Sequence, residues 1–123
     1  MFYVFLFFAG GIFYVCLEHV WRGRSHVSMA FAGGSCAVLL YGVLTHIPMA
    51  LLPLRALIGA IIITAVEYVT GAIVNVRLKL NVWDYSSLPV NCYGQICLHY
   101  SLLWFLLCVP VTVLIDVMQI LRG

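Results

Sequence analysis

The sequence predicts an all-α integral membrane protein with four transmembrane helices and a re-entrant or interfacial segment between helices 3 and 4. Of its 123 residues, 65% are apolar and 8% are charged, and the mean hydropathy is +1.14. A soluble domain of this length has too little interior to bury so much apolar surface. The apolar residues fall into four runs of about 17 to 25 residues, the length that crosses a bilayer. Residues 1–123 are therefore predicted to form one transmembrane domain.

A polar turn separates the first two predicted spans. Span one covers Phe2–Leu17 and is followed by the sequence EHVWRGRSH. We expect a retained helix and not a signal peptide, because no basic region precedes the apolar run. Span two covers Ser28–Leu52 and is predicted to kink or to end early at Pro48, which has no backbone N–H to donate.

The last two predicted spans are joined by a long segment. Span three covers Leu54–Val76 and begins almost directly after span two, which predicts a tight antiparallel hairpin. Span four covers Ser101–Leu121 and contains Pro110, where a kink is expected.

The basic residues predict how the bundle is oriented. Lys and Arg concentrate on the cytoplasmic side of membrane proteins. One side of the predicted bundle carries Arg22, Arg24, Arg77 and Lys79, whereas the other carries Arg55 and Arg122. This distribution favours an orientation with both termini outside. A dual-topology dimer is the alternative.

Polar and small residues recur at helical spacing in three of the predicted spans. They are Gly11, Tyr14 and Glu18 in span one, Thr64, Glu67, Gly71 and Asn75 in span three, and Ser101, Trp104, Cys108, Thr112 and Asp116 in span four. Residues three or four positions apart share one face of a helix. The three stripes are therefore predicted to line a small internal cavity. For the small and hydroxyl residues the alternative is ordinary helix packing.

Glu67 is the most informative of these residues, because it lies in the middle of a span. A charged side chain at this depth costs about 2.5 kcal/mol or more. No Lys or Arg is predicted at mid-span, so Glu67 is expected to be protonated or to hold a cation. Glu18 and Asp116 lie nearer to span ends. They are expected to reach water, to pair with Arg22 or Arg122, or to take part in function.

The segment from Val82 to Ser101 is predicted to fold back over the bundle as a lid or a shallow re-entrant loop. It is too rich in aromatic and apolar residues to be disordered. Four aromatic residues suit the membrane interface: Trp83, Tyr85, Tyr93 and Tyr100. Asp84, with Ser86 or Ser87, is expected to cap a turn. Asp84, Asn91 and Gln95 are expected to satisfy backbone groups or to face a cavity.

Three sequence motifs resemble a known family. They are EYVTG at Glu67–Gly71, WDYS at Trp83–Ser86 and PVNCYGQICLHYSLLW at Pro89–Trp104. In order and spacing the chain resembles the Putative ABC-transporter type IV family of small bacterial membrane proteins, and Glu18 is placed like a Glu that follows the first span in that family. The stretch HVSMAFAGGSCAVLLYG replaces a different stretch that the family usually has between the first two spans. The sequence contains no Walker motif, so the resemblance implies the fold and the shared polar positions more directly than ATP-driven transport.

Other chemistries have weaker signals. Cys92, Cys97 and His99 are close in sequence, but a zinc site needs a further ligand. A disulfide between Cys92 and Cys97 requires an oxidising compartment, which the predicted topology does not give. Asp84, Ser86 and His99 supply the side chains of a hydrolase triad, but nothing in the sequence brings them together.

The sequence therefore favours a membrane protein that moves a small solute or cation, with Glu67 exchanging a proton for it. We expect a permease-like component, not an enzyme. Its expected partners are the lipid bilayer, the solute and further copies of the chain, without nucleic acid, metal or cofactor. The predicted binding residues are Glu18, Glu67, Asn75, Trp83, Asp84, Tyr85, Asn91 and Gln95. The alternatives are a non-transporting scaffold or subunit, and a membrane enzyme that uses Asp84, Cys97 or His99.

Overall fold

A computed structural model describes residues 1–23, 26–80 and 82–122, without the side chain of Arg22. Four α-helices dominate this part of the chain: α1 (Phe2–Arg22), α2 (Val27–Leu44), α3 (Leu52–Gly71) and α4 (Leu98–Arg122). Each is long and apolar enough to cross a membrane, α3 together with its helical extensions. The predicted all-α, four-helix membrane fold is confirmed. Arg24, which contributed to the predicted orientation, lies outside the described residues.

The first helix is longer than predicted. Helix α1 continues past Leu17 and ends at Arg22, so Glu18 lies on a helix and not in a turn. The helix stops where Gly23 adopts a left-handed conformation, with φ of 75°, and donates its N–H to the carbonyl of His19. Charged side chains do not break a helix, whereas a left-handed glycine ends one. The predicted boundary at Leu17 was therefore wrong.

The connection between α2 and α3 is decided by prolines. Helix α2 ends at Leu44, well before the predicted Leu52, and the Thr45 hydroxyl donates to the carbonyl of Tyr41 at 2.7 Å. Pro48 disfavours a helical conformation for the residue before it, so the chain turns. A single 3₁₀ turn, Met49–Leu51, then leads into α3, which has a proline in its first turn. Helix α4 continues through Pro110.

Helix α3 does not end as a regular α-helix. A π-helical segment, Ala72–Arg77, extends it, and the Leu78 N–H donates to the carbonyl of Ile73. A π-helical turn shifts the positions of the side chains that follow relative to an α-helix, and such turns are frequent at functional sites. Here the segment places Asn75 beside the loop that connects α3 to α4.

That connection, residues 78–97, is called the capping loop below. It contains a small hairpin of two strands, β1 (Asn91–Cys92) and β2 (Ile96–Cys97), with Asn91 opposite Cys97. Tyr93 and Gly94 form the turn, both with positive φ. The loop lies over the end of the bundle where α1 and α3 finish, since Trp83 packs against Gly71 and Tyr85 contacts Glu67. The predicted segment between helices 3 and 4 is thus present as a folded cap.

Helices α1 and α2 approach closely through small residues. A Cβ atom added to Gly33 of α2 would lie 2.6 Å from the Cβ of Tyr14 and 3.0 Å from the carbonyl oxygen of Gly10, both on α1. Such contact of helix backbones is a common means of association in membranes.

Replacing Gly33 with Ala is expected to destabilise the protein by about 1–3 kcal/mol, the usual cost of overpacking. Gly42→Ala is the matched control in the same helix, because a Cβ atom there meets nothing within 4 Å. The control should match or exceed wild-type stability, since alanine favours helix. Melting temperatures in detergent provide the comparison. Equal melting temperatures for the two variants would contradict the close packing of α1 and α2.

Candidate functional site

The site is centred on Glu67, a carboxylate that three elements enclose. Glu67 projects from α3 and is 7% exposed. Its Oε2 accepts a hydrogen bond from the Tyr85 hydroxyl of the capping loop at 2.8 Å. Its Oε1 accepts one from the indole N–H of Trp104 on α4 at 3.3 Å. Both oxygens therefore have donors, and one of these donors belongs to the loop and not to the bundle.

Two further contacts position Tyr85 over Glu67. Its backbone N–H donates to the carbonyl of Gly94 at 2.8 Å, and its ring stacks on Tyr100 with 4.7 Å between centroids. Burial, and next the carboxylate of Glu67, raise the pKa of Tyr85. The hydroxyl thus stays protonated at neutral pH and remains a donor to Glu67.

Glu67 borders an inner cavity of about 120 Å³. The walls come from all four helices and from Trp83 of the loop, and among the described residues that line it Glu67 alone is charged. Several of the walls are small residues of α1 and α2, namely Gly10, Ala32, Gly33, Cys36 and Ala37. A cavity of this size and apolar character suits a small molecule or the end of a larger one.

A second, larger space of about 660 Å³ lies between α1, α4 and the capping loop; we call it the vestibule. It is lined by Tyr14, Leu17, Glu18, Val20, Trp21, Trp83, Asp84, Tyr85, Ser87, Leu88, Tyr100, Leu103, Trp104 and Leu107. Four of these residues also line the inner cavity: Tyr14, Trp83, Trp104 and Leu107. The two spaces are therefore neighbours that share a wall made largely of aromatic rings.

Glu18 and Glu67 belong to the same electrostatic environment. Glu18 is 8% exposed and lines the vestibule, whereas Glu67 borders the neighbouring inner cavity. Tyr14, one helical turn before Glu18, interacts with both carboxylates. The extension of α1 beyond its predicted end thus brings a second acidic side chain into the region. The predicted ion pair with Arg22 involves a side chain outside the described residues.

Asn75, Gln95 and Trp83 anchor the capping loop to α3. The Asn75 amide donates to Oε1 of Gln95 at 2.9 Å, and its carbonyl oxygen accepts the backbone N–H of Val82 at 2.6 Å. The indole N–H of Trp83 donates to the Gln95 carbonyl at 2.9 Å. The side chains of Asn75 and Gln95 thus hold the loop in place. Neither residue is among the described residues that line the inner cavity or the vestibule.

Asn75→Leu is expected to loosen the capping loop, because the hydrogen bonds of Asn75 to the backbone N–H of Val82 and to Oε1 of Gln95 are both lost. Amide hydrogens of residues 82–86 should exchange faster, and the loop should become sensitive to proteases. Thr70→Leu, on an apolar groove between α2 and α3, is the control and should leave loop exchange unchanged. Unaltered exchange in Asn75→Leu would mean that the loop is held by other contacts.

Asp84 and Asn91 shape the turns of the capping loop. Oδ1 of Asp84 accepts the backbone N–H of Ser86 at 2.9 Å, and hydrogen bonds from Ser86 hold the pKa of Asp84 below its usual range. The Asn91 side chain donates to the Leu88 carbonyl at 2.8 Å and accepts the N–H of Gly94 at 3.0 Å. Asp84 is exposed and also lines the vestibule, where it adds a negative charge.

The structure thus divides the predicted binding residues into two groups. Five of them line the inner cavity or the neighbouring vestibule: Glu18, Glu67, Trp83, Asp84 and Tyr85. The other three, Asn75, Asn91 and Gln95, hold the capping loop together. A binding role for any of the eight stays a prediction. Four further residues line these spaces and were not predicted as binding residues. Tyr14 and Trp104, which belong to the predicted stripes, line both spaces. Trp21 and Tyr100 line the vestibule, and they belong to none of the stripes that the sequence spacing revealed.

The opposite end of the bundle contains an unexpected buried cation. Arg55, assigned by its sequence position to the outer side of the membrane, lies in α3 with 1% of its surface exposed. Its guanidinium donates to the carbonyls of Ile47 at 3.3 Å and Thr112 at 3.4 Å, and lies 4.0 Å from Asp116. Asp116 therefore lies beside Arg55, whereas pairing with Arg122 was one of the alternatives predicted for it. Arg122 instead lies over the ring of Phe2, 3.9 Å from its centroid.

The side chains considered for a zinc site, a disulfide and a hydrolase triad have other contacts in the structure. Cys92 and Cys97 are free thiols on the two strands of the hairpin, where each faces a different residue of the partner strand. Asp84 contacts the backbone of Ser86, whereas the His99 ring packs edge-on against Tyr100. Across the described ranges, no group of three or more His, Cys, Asp or Glu side chains has the geometry to hold a metal ion.

The comparison with known families decides the identity of this fold. The model of the family described as Putative ABC-transporter type IV matches residues 4–121 of the 123-residue chain. The chain belongs to the Putative ABC-transporter type IV family. No curated protein and no solved structure matches it. In this family member the motifs EYVTG and WDYS meet in space, because Tyr85 donates to Glu67 and Trp83 packs on Gly71. The stretch between the first two spans, where the sequence departs from the usual pattern, lies largely in α2 and forms part of the cavity wall.

Proposed function

We propose that this family member is a permease-like membrane protein, and not an enzyme, that binds a small cationic solute and moves it in exchange for a proton on Glu67. The observation that carries the proposal is the position of Glu67. It borders the inner cavity, it is nearly buried, and it is bridged to the vestibule by Tyr85 and Trp104. Intramembrane carboxylates with this environment are typical of proton and ion pathways.

The physical reason for exchange is the cost of an isolated charge. An ionised Glu67 in an apolar cavity is unfavourable, whereas a protonated Glu67 or a Glu67 paired with a cation is neutral. The two occupants therefore compete for one carboxylate. A solute that displaces the proton provides coupling between solute binding and proton release.

The capping loop is proposed to act as the gate on its side of the membrane. Tyr85 donates to the same carboxylate that the cation would approach, so binding weakens the contact between the loop and α3. The anchor made by Asn75 and Gln95 keeps the loop attached while Tyr85 moves. This side is proposed to be cytoplasmic, because Arg77, directly before the loop, and Lys79, at its start, are both exposed. Both termini would then lie outside, and the protein is proposed to work as an oligomer in a bacterial cytoplasmic membrane.

A second candidate function is a non-transporting scaffold or subunit. It is favoured by the number of polar side chains that serve packing, above all Asn75 and Gln95. Under this function Glu67 would be a structural acceptor for Tyr85 and Trp104, and solutes would cause no proton movement.

The test uses purified protein in liposomes that contain a pH indicator. Separate additions of KCl, NaCl, MgCl₂, tetramethylammonium chloride and tetraphenylphosphonium chloride should identify at least one cation that drives proton movement. That movement should depend on Glu67. If none of these cations gives a response above that of protein-free liposomes, the transport function is refuted and the scaffold function is favoured.

A further inference from the structure

The vestibule has an unusual aromatic composition. Six of its fourteen lining residues are aromatic, compared with 14% of the whole chain. All three Trp of the protein are among them, together with three Tyr, whereas none of the seven Phe is. Trp and Tyr are the rings that bind cations most strongly through their faces. The vestibule is therefore enriched in the ring types that bind cations, and not simply in apolar side chains.

Five of these six rings are buried or half-buried within the protein, and the sixth, Trp21, is 69% exposed. An interfacial belt would explain Trp and Tyr that project into the headgroup region. Trp83, however, is 4% exposed, and Tyr85 stacks on Tyr100. Trp104 lies within 6.3 Å of the Tyr100 ring and 6.0 Å of the Tyr14 ring, measured between centroids. The contacts join rings from α1, the capping loop and α4 into one wall.

The charges of the vestibule favour a cation. Glu18 and Asp84 line it, Glu67 lies behind the aromatic wall, and no described lining residue is Lys or Arg. A small inorganic cation is a poor fit, since Mg²⁺ and Ca²⁺ require about six or more oxygen ligands. No cluster of three acidic or other metal-ligating side chains occurs in the described part of the chain. A weakly hydrated organic cation does not need such ligands.

The size and the remaining walls indicate that the cation carries apolar groups. A volume of about 660 Å³ is typical of pockets for drug-sized ligands. The walls that are neither aromatic nor acidic are mainly aliphatic, namely Leu17, Val20, Leu88, Leu103 and Leu107. A phospholipid headgroup offers a similar ammonium, but its phosphate would lie near Glu18 and Asp84, and none of the described lining residues is a Lys or Arg that could pair with it.

We propose that the vestibule binds a monovalent organic cation with apolar substituents, such as a quaternary ammonium or phosphonium, by the faces of its Trp and Tyr rings. This inference rests on the proposed function, because it names the class of solute that the Glu67 site receives. The cation's hydrocarbon groups contact the leucines, and its charge is balanced by the surrounding carboxylates.

Tryptophan fluorescence tests the proposal, since every Trp of the protein lines the vestibule. Tetraphenylphosphonium and tetrapropylammonium should change the emission of detergent-purified protein with saturation. KCl and MgCl₂ at equal ionic strength, and the neutral triphenylphosphine oxide, should not. Saturation by the neutral compound at the same concentrations would overturn recognition of charge. Displacement of tetraphenylphosphonium by short-chain phosphatidylcholine would assign the site to a lipid headgroup and overturn the proposal.

A matched pair of variants on α4 tests the role of the rings. Tyr100→Leu removes a ring that stacks in the vestibule, and Phe105→Leu removes one that lines a groove between α3 and α4. Tyr100→Leu should weaken tetraphenylphosphonium binding roughly 3- to 30-fold, and Phe105→Leu should not change it. Tyr100→Phe, which keeps a ring, should bind more tightly than Tyr100→Leu. Equal affinities for Tyr100→Leu and Phe105→Leu, with both folded as judged by melting temperature, would overturn the proposal.

The outcomes separate this inference from the transport function on which it rests. If organic cations bind in a ring-dependent manner but drive no proton movement, the assignment of the ligand stands and the exchange function fails. If inorganic cations drive proton movement through Glu67 while organic cations neither bind nor drive it, the exchange function stands and the assignment of the ligand fails.

Discussion

Glu67→Gln is expected to abolish solute-driven proton release in liposomes, reducing it to the level of protein-free vesicles. Glutamine has nearly the shape of glutamate but neither releases a proton nor carries the charge that attracts a cation. Its carbonyl oxygen still accepts the Tyr85 hydroxyl, so the capping loop should remain in place. The indole N–H of Trp104 then faces an amide NH₂, so the loss of stability should be about 1 kcal/mol.

Asp116→Asn is the control for Glu67→Gln, because it removes a carboxylate from α4 near Arg55, where neither the inner cavity nor the vestibule extends. It should retain the proton response even where it lowers the melting temperature. Wild-type proton release from Glu67→Gln would exclude Glu67 as the proton carrier. A large loss of stability in Glu67→Gln with no proton response in the wild type would favour the scaffold function.

Arg55→Ala is expected to cause the largest loss of stability among single substitutions in the described residues. The guanidinium is 1% exposed and joins three parts of the chain: the α2–α3 turn through Ile47, α3 itself, and α4 through Thr112 and Asp116. Removing one partner of a buried ion pair costs about 3–5 kcal/mol. A loss at the lower end of that range is expected, because the Asp116 side chain is 32% exposed and water can solvate its carboxylate once the guanidinium is removed.

Arg55→Lys distinguishes the role of the charge from that of the hydrogen bonds. Lysine keeps the charge but has no planar fork to reach the two carbonyls of Ile47 and Thr112 together. Its stability should lie between those of the wild type and Arg55→Ala, as measured by thermal unfolding in detergent. If Arg55→Ala unfolds at the wild-type temperature, the guanidinium does not hold this end of the bundle.

The helix count and the candidate carboxylate could both be predicted from the sequence. In lipid every backbone polar group must be bonded within the protein, so an apolar run of sufficient length has to be a helix. Glu67 was identifiable because a charge in the middle of such a run is costly. Its two donors were not, since Tyr85 and Trp104 lie 18 and 37 positions away. No pattern within one helix specifies contacts at that distance.

The roles of individual polar residues could likewise be predicted only in part. Asn75 and Glu67 share a helical stripe in the sequence, yet one lies beside a cavity and the other holds the capping loop. The π-helical segment that follows Gly71 changes the spacing on which the stripe was based. The burial of Arg55 could not be predicted either, because a basic residue beside the end of a span is ordinarily exposed. Its guanidinium is buried because it donates to the carbonyls of Ile47 in the α2–α3 turn and of Thr112 in α4.

By itself the sequence determined that this protein is a four-helix membrane bundle with one costly carboxylate and a structured loop before the last helix. These features follow from composition and from the local requirement that backbone groups be hydrogen-bonded in lipid. Only the tertiary structure decided that the capping loop donates to Glu67, that aromatic rings from three elements enclose one vestibule, and that Arg55 ties the opposite end. Each of these contacts joins residues far apart in the chain, and their energies depend on burial and distance, which no local pattern encodes.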